Sequence, residues 1–239
     1  MSRTVVISQP TYLPWLGYFE LIAKSDVFVF LDNVQCVKQS WHNRNRLKGN
    51  NDQLIWLTVP VKAHPLDTPL SKIQILHNPS IWRRKHLGTI QTCLGSAVYF
   101  HTIFPFIHEL LNYEYEYLVD LNISLIKFFA DLLGLSPNFV KASDLNPQGV
   151  RTEMLLNLCQ QLDANYYYSP MGSKVYLEEE KHLFVEEGIK LNYQMWEHPY
   201  YLQGGKSFVS HLSVLDALLN IGPEATRSLI IPNKRENNI

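Results

Sequence analysis

VVISQPTYLPWLGYFELIAKSDVFVFLDNVQ, residues Val5–Gln35, passes from an apolar run through a polar, aromatic, Pro- and Gly-containing segment into a second apolar run. Short apolar runs rich in β-branched residues read as strands, and Leu16–Lys24 between them carries helical spacing. Strand, helix and strand in this order predict a parallel pair. Open parallel sheets bind ligands beside the carboxyl ends of their strands. Gln9, Tyr12, Trp15, Gly17 and Tyr18 follow the first strand, and Asp32 and Gln35 follow the second. They are expected to share a site.

Further along, Gln53–Val61 reads as a strand and Ser71–Ile75 as a short extended piece. Ser80–Cys93 and Phe106–Leu133 change to helical spacing, with a break near Asn112–Tyr117 and Gly134 as a C-cap. Phe139–Lys141, Tyr166–Ser169 and Ile189–Trp196 return to strand character. Arg151–Leu162, Val175–Glu187 and Phe208–Leu219 are predicted helices. The alternation implies an α/β fold: a Rossmann-like, mostly parallel sheet with flanking helices and a helical middle region. Residues 1–231 are expected to form one α/β domain, with a helical sublobe around 78–135. Residues 232–239 read as a polar tail.

The 239 residues are 46% hydrophobic, enough for one substantial core. With 21 basic and 22 acidic residues the net charge is -1, so there is no global attraction for nucleic acid or an anionic membrane. The N-terminal residues lack the apolar core of a signal peptide, and no run reaches membrane-spanning length; the cytoplasm is the expected compartment. Cys36, Cys93 and Cys159 are scattered without a CxxC pair, which argues against a disulfide scaffold or a zinc site.

Four clusters carry chemistry. In the first, Gln9 and Gln35 can read amide or hydroxyl groups, and Tyr12 and Trp15 can stack on a base or sugar face. Asp32 can bind hydroxyls, hold Mg²⁺ or act as a base; its structural alternative is a turn or helix cap. The second, QSWHNRNRLKG at Gln39–Gly49, packs Trp41, His42, Asn43, Arg44 and Arg46 into a short segment suited to clamping a phosphate or carboxylate. If it is extended, Arg44 and Arg46 face together and Asn43 faces away. The third, WRRKH at Trp82–His86, offers Lys85 and His86 to an anion, or else forms an amphipathic helix. The fourth, near the C-terminus, contains Glu197, His198, Gln203 and the Gly204–Gly205 turn, and contributes His198 and Gln203 as candidates.

Several familiar signatures fail. Tyr200 replaces the upstream glycine that a phosphate-binding GxxxxGKS loop needs before Gly204–Ser207, and HEL at His108–Leu110 lacks the second histidine of a zinc motif. GxSxG and GxGxxG are absent.

Four segments together, QPTYLPWLGYFELIAKSDVFVFLDNVQ, SWHNRNRLKG, WLTVPV at Trp56–Val61 and LSVLDALLNIGPEA at Leu212–Ala225, closely resemble the WbqC-like family of bacterial proteins. That family is commonly found with polysaccharide or O-antigen biosynthesis genes. The resemblance implies a tailoring enzyme of sugar precursors, most plausibly an acyl or aminoacyl transferase or an amide ligase acting on a nucleotide-linked aminosugar. The opening also looks like the start of nucleotidylyltransferases and pantothenate synthetase-like ligases. At Trp15–Tyr18 it keeps the glycine of their HxGH turn but lacks both histidines. That wider likeness implies ATP with Mg²⁺, and the alternative donor is an activated acyl group such as a CoA thioester. The expected substrate is a polar, phosphorylated small molecule. Asp32, His42 and Arg44 are the expected catalytic residues. A glycosyltransferase or a noncatalytic carbohydrate-binding protein is the alternative.

Overall fold

A computed structural model describes residues 2–37, 40–49, 51–76 and 79–231. Gln39 and the expected polar tail at 232–239 lie outside the described residues. The chain begins β1 (Thr4–Ser8), α1 (Leu16–Ala23) and β2 (Val27–Phe30), then forms a hairpin of β3 (Arg44–Lys48) and β4 (Leu54–Thr58). Helices α2 (Pro79–Leu94), α3 (Phe100–Asn112) and α4 (Leu118–Leu132) follow. The sheet resumes with β5 (Asn138–Lys141), short α5 (Ala142–Leu145), α6 (Thr152–Gln161) and β6 (Tyr166–Ser169). Short α7 (Lys174–Leu177), α8 (Lys181–Glu186), β7 (Lys190–Tyr193) and α9 (Val214–Ile230) complete the chain.

Five strands form the sheet in the order β5-β2-β1-β6-β7, and every pairing is parallel. The order runs one way from β1 through β2 to β5, then the other way from β1 through β6 to β7. The switch point therefore lies between β1 and β6, where the flanking connections part and leave a crevice at the carboxyl ends. This is a Rossmann-like α/β arrangement.

Strand alternation divides the core into two layers. Val6, Phe28 and Phe30 face a large cluster with α1, the hairpin, α2–α4 and α9. Val5, Ile7, Val27 and Val29 face a smaller cluster with Leu155, Leu158, Phe184 and Leu191. Such strands are buried on both sides, which is why they read as unbroken apolar runs.

Several boundaries differ from the sequence reading: the helix expected at Val175–Glu187 is two short ones, and the helix expected from Phe106 begins at Phe100. Arg44–Lys48 is extended, and pairs antiparallel with Leu54–Thr58. The last helix starts at Val214, because Ser213 caps it by accepting from the Leu215 N–H. Its first stretch ends at Gly222, whose φ of 81° is not helical, and a second helical stretch opens with Pro223 and runs to Ile230. Ser71–Ile75 is mostly a single 3₁₀ turn at Leu70–Lys72 followed by isolated bridges at Gln74 and Ile75.

Asp32 lies past the end of β2, is 1% exposed, and ties that end to α5. Its two carboxylate oxygens accept from the Ser143 N–H at 2.9 Å and the Ser143 hydroxyl at 2.7 Å. Removing the carboxylate leaves both donors without their acceptor. Asp32→Ala is expected to lower the unfolding free energy by about 1–3 kcal/mol in a urea melt. An unchanged midpoint would contradict this role.

Candidate active site

After β1 the chain leaves the sheet as Gln9–Trp15, and nearly every carbonyl of this segment finds a donor. Tyr18 Oη donates to Gln9 O, and Asn122 Nδ2 donates to Pro10 O at 3.1 Å. Asn45 Nδ2 donates to both Tyr12 O and Leu13 O, at 3.1 and 2.7 Å, and the Val214 N–H reaches Pro14 O. These bonds hold Leu13 in the left-handed region, φ 46°, which a leucine leaves readily without support. Trp15 then caps α1 with extended backbone, and its indole folds over Gly17. The glycine thus makes room for the tryptophan, whose ring fills the space a Cβ would take.

Two buried imidazoles brace this segment. Thr58 O can only accept, so His86 Nε2 carries the proton at 3.2 Å and its Nδ1 accepts from Tyr12 Oη at 2.9 Å. His42 Nε2 meets Gln9 Oε1 at 2.8 Å. Burial lowers both imidazole pKa values to about 4.

At the switch point a cavity of about 600 Å³ opens between the ends of β1, β6 and β7. Ser8 and Thr11 line it from β1, and Pro170, Met171 and Gly172 from β6. Gln194, Met195, Trp196 and Glu197 follow β7, while Trp15, Tyr18, Trp41 and His211 complete the walls. Trp15 packs against Trp196 at 5.6 Å between ring centres and against His211 at 4.8 Å. The lining contains Glu197 and no lysine or arginine.

The floor is a buried network. Gln194 Nε2 donates to Gly17 O at 2.7 Å and to Glu20 Oε2 at 2.8 Å, and Tyr168 Oη donates to Glu20. Both amide hydrogens of Gln194 are thereby used, which leaves its carbonyl oxygen as the acceptor for a ligand. Burial raises the Glu20 carboxyl pKa, and its two donors oppose the rise.

Two imidazoles lie at this end of the cavity, His211 in its wall and His198 behind Trp15. Burial, then the charge of Arg46, lowers the His211 pKa. His198 is lowered chiefly by burial; its ring stacks behind Trp15, and its Nδ1 lies 3.0 Å from Pro199 O. The lowering favours the neutral form of both imidazoles.

Of the sequence candidates, the structure brings Trp15, Tyr18 and Trp41 to the cavity. Gln9 with His42, and Tyr12 with His86, are bracing pairs behind it. Asn43 Nδ2 donates to Val59 O and closes the hairpin. Gln203 clamps Val209 through two bonds, Nε2 to Val209 O and Val209 N–H to Oε1, within its own loop. Gln35 is exposed and bridges Pro69. Lys85 lines a separate groove with Trp56 and Arg84. Arg44 and Arg46 sit on the outer face of the hairpin, with the Arg44 guanidinium 4.5 Å from the Trp56 ring centre and that of Arg46 5.9 Å from Trp41. The shared site expected for Asp32, His42 and Arg44 is therefore not formed: Asp32 is held by Ser143, His42 is 4% exposed beside Gln9, and Arg44 faces outward.

Glu20, Gln194, Trp196 and His211 are not among the sequence candidates. Reading the strand Ile189–Trp196 to its apolar end concealed the site, because β7 stops at Tyr193 and the next residues turn into the cavity. The rule of carboxyl ends, applied to this strand, points to Gln194–Glu197. Among the described residues no group of three or more His, Cys, Asp or Glu side chains is placed to hold a metal ion, and no helix is long and apolar enough to cross a membrane.

Fold and cavity define a Rossmann-like protein with an aromatic-walled pocket at the sheet's switch point. The chain matches the WbqC-like protein family over residues 9–228, and it belongs to that family. It is 32% identical over 227 residues to the uncharacterized protein Rv1507c of Mycobacterium tuberculosis, covering 93% of this chain and 96% of the relative. No solved structure matches it.

The bracing pairs set a pH dependence. His42 and His86 have folded pKa values of about 4, against about 6.5 in an unfolded chain. Between these values the unfolded state binds more protons, so stability rises with pH across the window and is lost on acidification. Each histidine contributes a slope of up to about 1.4 kcal/mol per pH unit between about pH 6 and 4. Asp216, whose burial raises its pKa to about 6, and Glu20 slope the opposite way in the same window, so the histidine contribution is read as a difference: below pH 6 the urea midpoint of His86→Gln should fall less, or rise more, than that of the parent. Equal slopes in the variant and the parent would contradict the assignment. Gly17→Ala should expel the Trp15 ring, red-shift tryptophan emission and destabilise by about 1–3 kcal/mol; an unchanged spectrum would count against the packing.

Proposed function

We propose that this protein is a tailoring enzyme of polysaccharide precursor biosynthesis that forms an amide on the amine of a nucleotide-linked aminosugar. The observation that carries the reading is the cavity wall: the indoles of Trp15, Trp41 and Trp196 stand beside the carboxylate of Glu197 and the neutral imidazole of His211. Pyranose C–H faces stack on indoles, a protonated amine is drawn to a carboxylate, and a neutral imidazole can accept its proton. The absence of Lys and Arg from the lining suits an amine better than a phosphate at this spot.

In the reaction the amine nitrogen attacks the acyl carbonyl carbon, so a C–N bond forms as the bond from that carbon to the leaving group breaks. The ammonium first gives up one proton to bulk water, since only the free amine has a lone pair; on attack His211 accepts the second proton from nitrogen and passes it to the departing group. With a CoA thioester the leaving group is the thiol; with a carboxylate activated by ATP and Mg²⁺ it is a phosphate or nucleotide. Gln194, fixed by Glu20 and Gly17, offers its carbonyl oxygen to a sugar hydroxyl. The sugar context comes from the resemblance to proteins found with polysaccharide biosynthesis genes; the family match itself names no reaction.

The test is mass spectrometry of a nucleotide-linked aminosugar incubated with the protein and, in parallel, CoA thioesters or a carboxylate with ATP. The expected product carries one added acyl mass. His211→Ala should slow its formation by about 10²–10⁴-fold, and Trp196→Ala should act mainly by raising KM. Reversible sugar binding with no product from any donor would replace the enzyme by a carbohydrate-binding protein.

A further inference from the structure

The hairpin has two different faces. Asn45, Leu47 and Leu57 point into the core, while Arg44, Arg46 and Trp56 point out. The register places Arg46 opposite Trp56, and Arg44 is two pairs further along on the same face, opposite Thr58. Trp41 packs beside this face with its ring 5.5 Å from that of Trp56. The two indoles are 47% and 44% exposed, a large apolar area to leave in water at an otherwise charged surface.

The arginines are equally unspent. Among the described residues neither Arg44 nor Arg46 has a carboxylate within ion-pair distance, and Arg46 Nε is buried without a hydrogen-bond partner. A guanidinium lying over an indole keeps its N–H edge free for two parallel bonds to a phosphate. Trp41 belongs to the cavity wall, so this surface starts at the cavity mouth. Trp56 also lines an open groove with Arg84 and Lys85, so positive charge continues beyond it.

We infer that this face, formed by Trp41, Arg46, Trp56 and Arg44, is a subsite for a nucleoside diphosphate, whose sugar end reaches the cavity. The inference rests on the proposed function for the sugar end alone. A diphosphate supplies the anionic groups that the two arginines lack, and a flat base covers exposed indole. Charge alone would be served by arginines on any surface; the pairing of each with an exposed tryptophan is what selects a ligand carrying both groups.

The subsite is tested by titrating the full chain with UDP, inorganic pyrophosphate, uridine and the methyl glycoside of an aminosugar, following tryptophan fluorescence and calorimetry. UDP should bind more tightly than pyrophosphate or uridine and weaken as salt rises. The double variant Arg44→Ala/Arg46→Ala should weaken UDP at least about tenfold and leave the methyl glycoside within about twofold. Trp56→Ala should bring UDP close to pyrophosphate, and thermal melting confirms that each variant is folded. Glycoside binding without UDP binding, or UDP affinity unchanged in the double variant, overturns the subsite and leaves the cavity reading standing. UDP binding that obeys these expectations without glycoside binding retains the subsite and sinks the cavity reading.

Discussion

Two buried side-chain amides hold the site in shape. Asn45 and Asn122 between them satisfy the carbonyls of Pro10, Tyr12, Leu13 and His42, four groups that would otherwise be buried without donors. Each buried carbonyl left unpaired costs about 1–3 kcal/mol, a sizeable share of the stability of a domain. Asn45 comes from the hairpin and Asn122 from α4, so these bonds also lock the hairpin and the helical middle region onto the end of β1. A sharply bent segment with Leu13 at positive φ persists because its surroundings over-determine it.

From that anchoring follows the position of the cavity. Once Gln9–Trp15 is pinned, Trp15 folds over Gly17 and becomes a wall facing the ends of β6 and β7. The parallel order β5-β2-β1-β6-β7 makes this gap, since the chain moves away from β1 in both directions. Glu20 beneath the floor and Asp216 beside Tyr201 are buried acids whose pKa values rise, the latter to about 6. Both act through neighbours: Glu20 orients Gln194, and Asp216 accepts from Tyr201 Oη at 2.8 Å at the base of the loop that carries His198 and His211.

The sheet was legible because its chemistry is local. Apolar runs at Val5–Ser8 and Val27–Phe30 can hardly be anything but strands buried on both faces, and the turn residues between them set the order. The hairpin was legible only conditionally, since Arg44–Lys48 carries polar residues on both faces and its inward Asn45 looks solvent-facing until its carbonyl partners are known. The same ambiguity explains the candidate residues. Gln9, His42, Tyr12 and His86 have the side chains of a catalytic cluster, yet here they pair off in the interior to support a loop. Composition reveals that polar groups gather near Trp15; which of them face a ligand depends on contacts across 33 to 177 positions of sequence. Gln194 and His211 come from the far end of the chain, where nothing local marks them.

The proposed substrate has its sugar end between Trp15, Trp41 and Trp196, against Glu197 and His211. The most direct measurement is a crystal structure of the full chain with a nucleotide-linked aminosugar bound. The pyranose is expected in the switch-point cavity with its amine toward Glu197 and His211. A sugar seated outside that cavity, in the groove of Arg84 and Lys85 for instance, would contradict it.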